Sequence, residues 1–120
     1  VKRFKVSIHK EAGVTGVGIE RYRTENGQGV VEFIMSYYLG ASSRQDAVRS
    51  YIREIQKQLE PGEPALIRIG DPNLYGKDWL SIYPKHIRFS IEHKTRFKTC
   101  RALAEDAVRR KSSVMEELEI

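Results

Sequence analysis

Lys94, Arg96 and Lys98 alternate with Thr95, Phe97 and Thr99. In an extended chain this period of two puts all three cations on one side, about 6–7 Å apart from two strand rises each. Such a row suits the phosphates of a nucleic-acid strand, and phosphate contacts carry affinity rather than sequence choice. The row belongs to a wider basic stretch. Residues 85–111 hold nine of the 21 Lys and Arg, including Lys85, Arg88 and Arg101, against three acids, Glu92, Glu105 and Asp106. The chain as a whole carries a net charge of +5, so the excess is concentrated in this segment. His86, His93 and Phe97 are interleaved with the cations, which fits contact with a polyanion. The plainer reading is a solvated basic surface.

The elements that must carry these residues belong to a small domain. At 120 residues, with 40% hydrophobic and 31% charged side chains, the chain has the make-up of one globular unit. No apolar run approaches the ~18 residues of a membrane span, and residues 1–5 lack the apolar run of a signal peptide. Cys100 is the one cysteine, which excludes an internal disulfide and a cysteine-based zinc cluster. A reducing, cytoplasmic setting without membrane contact is the expectation. No fingerprint of a Ser–His–Asp enzyme, a zinc finger or a P-loop is present.

Phe4, Val6 and Ile8 alternate with Lys5, Ser7 and His9, the period of a strand. Two β-rich runs, 17–24 and 29–39, flank Asn26-Gly27, a hairpin signal because both turn positions need positive φ. The second run is apolar on both faces and belongs inside a sheet covered on both sides. Ser43 with Asp46 three residues on has the spacing of a capping box. Val48, Tyr51, Ile52, Ile55 and Leu59 then form one helical stripe over 43–59, which Pro61, Gly62 and Pro64 end. Residues 65–69 and 87–91 read as strands, with a loop over 73–85 that holds at most one short helix near 78–82. A final helix starts at Thr99 and turns Cys100, Leu103, Ala104, Ala107 and Val108 inward. Residues 1–111 make the domain. Residues 112–120, with three glutamates and no cation, make an acidic tail that continues the helix or frays. The order β-β-β-α-β-β-α predicts an α/β, mixed five-stranded sheet with helices on its faces.

That order resembles the ribonuclease H-like superfamily, specifically the type 1 ribonuclease H fold. Ser42-Ser43-Arg44-Gln45-Asp46 resembles the motif that opens the family's first helix, with Asp46 in the place of its glutamate. Ile69-Gly70-Asp71-Pro72-Asn73 resembles the end of the family's fourth strand, with Asp71 at the metal-binding position. Ala104-Glu105-Asp106-Ala107-Val108 resembles the last-helix motif, with Glu105 or alternatively Asp106 in the place of the family aspartate, and His93 matches the loop histidine. The resemblance spans residues 3 to about 111. It departs at the first strand. His9, followed by Lys10, stands where the family has its bridging aspartate, and Glu11 substitutes only if the strand end shifts by two residues. The family's usual basic insertion is absent too, which leaves Lys94, Arg96 and Lys98 as the backbone-contact candidates.

The resemblance implies magnesium or manganese held by Asp71, Asp46 and Glu105, because hard divalent ions take oxygen ligands and two-metal hydrolysis needs them roughly 3.5–4 Å apart. Loss of the first carboxylate, with Lys10 beside it, implies a degenerate site. The expected function is therefore binding of nucleic acid, or of a protein partner, with little or no hydrolysis. Two alternatives stay open: an active metal-dependent nuclease on RNA–DNA hybrids using His9 or Glu11, and an interaction module that uses the fold only as a scaffold. Each site residue also has a plain reading: Asp46 as a helix cap, Asp71 as a turn residue, Glu105 as a solvated helix residue, His9 and His93 as surface residues. Cys100 reads as a core thiol, Trp79 as a loop anchor, and Tyr37, Tyr38, Tyr51 and Tyr75 as packing residues.

Overall fold

The computed structural model describes residues 1–70, 84–91 and 97–117. Three long strands open it: β1 (Lys2–Glu11), β2 (Val14–Glu25) and β3 (Gln28–Ala41). Helix α1 (Arg44–Gln56), β4 (Ala65–Ile69), β5 (Ile87–Ile91), α2 (Lys98–Arg110) and β6 (Val114–Glu117) follow. The strands form one sheet in the order β5-β4-β1-β2-β3-β6. The β1-β2, β2-β3 and β3-β6 pairs are antiparallel, and β1-β4 and β4-β5 are parallel. The α/β, ribonuclease H-like sheet expected from sequence is thus present with one strand more than expected. That strand lies in the acidic tail. Lys111 takes φ 55° and closes α2, so 112–117 neither extend the helix nor fray, and Val114–Glu117 add to the open edge of β3.

Hairpin chemistry sets the register of the first three strands. Asn26 and Gly27 both have positive φ, 52° and 78°, as the sequence signal required. Ala12 and Gly13 repeat that geometry between β1 and β2, where the sequence reading had no turn. Period two then sorts the side chains. Phe4, Val6, Val17, Ile19, Phe33, Met35, Ile67 and Ile69 point to one face and form the core with Val48, Tyr51, Ile52 and Ile55 of α1. The predicted helical stripe is buried apart from Leu59, which packs partly buried at its edge. Ser43 caps α1 by the expected reciprocal bonds: the Asp46 amide donates to Ser43 Oγ at 3.1 Å and the Ser43 amide to Asp46 Oδ2 at 3.3 Å.

The opposite face carries α2 over β1, β2 and β3. Here Gly16 and Gly18 replace branched residues on β2. A Cβ at Gly16 would run into the Ala104 carbonyl, and one at Gly18 into the Cys100 carbonyl. The helix backbone therefore rests on the strand itself. Cys100, Ala104, Ala107 and Val108 are buried and Leu103 half-buried, close to the predicted inner face, although the helix starts at Lys98 rather than Thr99. Tyr37 and Tyr51 are core residues and Tyr38 is half-buried. Tyr75, Trp79 and the short helix expected near 78–82 lie outside the described residues.

Candidate functional site

Two of the sequence-predicted carboxylates sit on helices that pack on opposite faces of the sheet. Asp46 sits in the first turn of α1, exposed, and its hydrogen bonds with Ser43 hold its carboxyl below the ordinary value. It does the work of a cap. Glu105 sits on α2, over the other face. Arg101 Nε donates to Glu105 Oε1 at 2.9 Å, and Arg109 stands 3.9 Å from the second oxygen. The Arg101 hydrogen bond, helped by the charges of His9 and the two arginines, holds the Glu105 carboxyl below its ordinary value. Asp106, the alternative to Glu105, is exposed and pairs with Arg109 at 3.8 Å.

His9 is the first-strand residue that the structure brings toward this helix. It is the register partner of Gly16, over which Ala104 lies, so its ring shares the face of Glu105. Its Nε2 stands 3.4 Å from Glu11 Oε2. The arrangement joins a nitrogen base, Glu11 and Glu105 at one end of the sheet. Among the described residues, no three His, Cys, Asp or Glu side chains are placed to hold a metal ion together. Asp71 and His93 lie outside the described residues. The description stops at Gly70, whose amide donates to the Val6 carbonyl at 3.1 Å.

The basic candidates divide in the same way. Lys94 and Arg96 lie outside the described residues. Lys98 is exposed but is the first residue of α2, so the expected extended row does not run through it. Arg101 is engaged by Glu105. Lys85 and Arg88 fall at the far end of the sheet, where Arg3 and His86 join them around an open pocket. His86 was already among the residues interleaved with the cations, but Arg3 escaped the nucleic-acid reading because parallel pairing of β1, β4 and β5 brings together residues far apart in the chain. The strand period alone did put Arg3 on the face opposite Phe4.

A buried polar cluster also escaped notice. Glu20 of β2 is 4% exposed and faces the start of α2, where the Thr99 hydroxyl donates to it and the charge of Lys5 attracts it. Burial is the largest influence and holds its carboxyl above the ordinary value of 4.5. The N-cap of α2, Phe97, offers no side-chain acceptor, so a carboxylate from the neighbouring strand supplies negative charge to this helix end. Lys5 Nζ lies 4.8 Å from the Tyr22 ring centre and 5.5 Å from that of Phe97. Burial pushes the Cys100 thiol well up, and its Sγ donates to the Lys5 carbonyl at 3.3 Å, as befits an inert core thiol.

No helix among the described residues is long and apolar enough to cross a membrane. No family model matches the sequence, and no curated protein matches it. Solved structures do match over nearly the whole chain. The RNase H1 of the halophilic archaeon Halobacterium salinarum aligns over 91% of this chain and 98% of its own, with a TM-score of 0.62 at 11% identity. LC11-RNase H1, isolated from compost by a metagenomic approach, gives 0.63 at 11% identity over 92% of this chain and 96% of its own. In complex with an RNA/DNA hybrid, LC11-RNase H1 gives 0.58 at 13% identity over 92% and 99%. Strand order, the helix on each face and this coverage together establish that the chain has a ribonuclease H-like fold.

Proposed function

We propose that this domain binds nucleic acid through the ribonuclease H-like scaffold and hydrolyses it little or not at all. The observation that carries the reading is His9 on the sheet face that α2 covers: at the resemblance's bridging position stands a nitrogen base, and the carboxylate of Glu105 on that helix is already held by Arg101. Hard divalent cations select oxygen ligands, and a two-metal clamp needs carboxylates that converge. The described donors do not fit that demand. Asp46 is committed to its cap, and Glu105 to Arg101. No step through magnesium or manganese is therefore assigned, and Asp71 remains the carboxylate on which a weaker single-ion site would depend. A protein of the same fold has been solved with an RNA/DNA hybrid, which supports nucleic acid as the partner class. The concentration of basic residues in 85–111 supports it as well.

Two assays test the reading. Oligonucleotide affinity measured against salt should fall log-linearly, with similar values for unrelated sequences. Cleavage of the RNA strand of a hybrid, assayed with magnesium and with manganese, should stay at background. His9→Asp combined with Lys10→Gly should raise metal-dependent cleavage if Asp71, Asp46 and Glu105 can converge. Efficient cleavage by the unaltered chain would overturn the degenerate-site reading. Absence of any salt-dependent binding would leave the scaffold with a protein partner.

A further inference from the structure

The end of the sheet opposite His9 holds an open pocket of about 470 Å³. Its walls come from Arg3, Lys85, His86 and Arg88, and Pro64 and Leu66 supply apolar surface. The register explains the grouping. Arg3 pairs with Leu66, and Leu66 with Arg88, so the three lie in a row across β1, β4 and β5. Their neighbours Phe4, Ile67 and Ile87 belong to the α1 core, so the row points to the other face. Among the described residues, α2 packs on β1, β2 and β3, and this row lies beside it on the same face. Two strand spacings separate Arg3 from Arg88, about 10 Å between backbones, with Leu66 between them. Among the described residues, no Asp or Glu lines the pocket. Arg3 Nη1 donates to Thr24 Oγ1 at 3.2 Å, which uses one of the five N–H groups of its guanidinium. Val1 also borders the pocket.

We propose that this pocket binds a nucleotide phosphate, at a site separate from the carboxylates by six residues of β1, or about 20 Å. The volume is that of a small-molecule site. Guanidinium groups bind phosphate oxygens two at a time and stack on base planes, and Leu66 and Pro64 supply the surface on which a base can lie. The phosphate belongs either to a free nucleotide or to a unit of a passing strand. In the second case the site deepens the nucleic-acid reading above and lengthens its footprint beyond the α2 end of the sheet.

The experiment uses two probes, adenosine 5′-monophosphate and a 12-nucleotide single strand, against three proteins: the native chain, Arg3→Ala/Arg88→Ala, and Arg53→Ala/Lys57→Ala, which removes the same charge from α1. All four residues are exposed, and thermal melting checks that each variant folds. Amide shifts of residues 65–66 and 85–88 on addition of the monophosphate give a readout independent of mutation. The pocket variant should bind at least about tenfold more weakly, with a salt slope for the strand shallower by about 0.7 per lost phosphate contact. The α1 variant should lose no more than a general field effect. If the monophosphate binds natively through the pocket and the strand does not bind at all, the pocket is a free-nucleotide site and the nucleic-acid reading fails. If the strand binds native chain and pocket variant alike and the shifts stay still, the pocket proposal is overturned while the reading survives. If the native chain binds neither probe, both fall.

Discussion

The two faces of the sheet are built on different physics. On the α1 face, branched and aromatic side chains hold the helix off the strands and fill the space between with apolar volume. On the α2 face, Gly16 and Gly18 let the helix backbone rest on β2, and polar groups close the seam: Glu20 at the helix start and Ser36 Oγ donating to the Leu103 carbonyl. The first face depends on buried area and tolerates changes of shape better than loss of volume. The second depends on close approach and on partners for buried polar groups such as Glu20 and Ser36, while Ser7 Oγ on the same face has none. The contrast bears on function, because α2 carries Glu105 and its height above the sheet sets how near Glu105 lies to His9.

The largest expected effect is at the close-approach face. Gly18→Val places a Cβ, with two methyl groups attached, where the Cys100 carbonyl and Leu103 Cβ leave no room, and a helix backbone cannot step aside as a side chain does. The loss should exceed about 5 kcal/mol, the lower end of a small domain's whole stability, and should appear as failure to reach the native state in urea melts. A mild effect would mean that α2 floats more freely than its glycines imply. Next comes Ile52→Ala on the α1 face. It removes apolar volume without any clash and should cost about 2–5 kcal/mol with the cooperative transition kept. A loss near zero would break the assignment of that stripe to the core.

The third test concerns pH. Burial raises the folded-state pKa of Glu20 above its ordinary 4.5, so the folded chain binds more protons than the unfolded chain between those two values. The contribution of Glu20 therefore falls as pH rises from about 4.5 through the folded value. Asp46, Glu63 and Glu105 have lowered values, so what they contribute is present above their ordinary pKa values and lost as pH falls through the folded ones. In urea melts between pH 4 and 7, Glu20→Gln should gain on the native chain as pH rises. If the native chain instead gained on Glu20→Gln as pH rises, attraction to Lys5 would outweigh burial at this seam. The smallest effect is expected at Ser43→Ala. It removes one half of the α1 cap and should cost about 1 kcal/mol, with no change at the α2 face.

How much was legible follows from what each feature depends on. Local chemistry settled β1, the Asn26-Gly27 hairpin, the Ser43–Asp46 cap, the stripe of α1 and the strands at 65–69 and 87–91, because each follows from period, turn conformation or capping within a few residues. Gly16-Val17-Gly18 carried a readable signal that went unused: glycines at period two inside a strand mark a close approach. Strand β6 was not legible, since four exposed residues become a strand only when the edge of β3 offers its hydrogen bonds.

The site divides along the same line. Sequence by itself determined which residues were available for chemistry: His9 and Lys10 rather than a carboxylate on the first strand, an aspartate at the α1 cap, and a surplus of cations in 85–111. Only the tertiary structure decided who meets whom. Parallel pairing set Arg3, Leu66 and Arg88 in one row, and the glycine-mediated approach of α2 put Glu105 over the sheet face of His9 while Asp46 stayed in its cap. The physical reason is that residue type and period act over one or two turns of chain, whereas a pocket or a carboxylate cluster is a meeting of distant segments. Sheet order and helix height create that meeting, and both are properties of the folded whole.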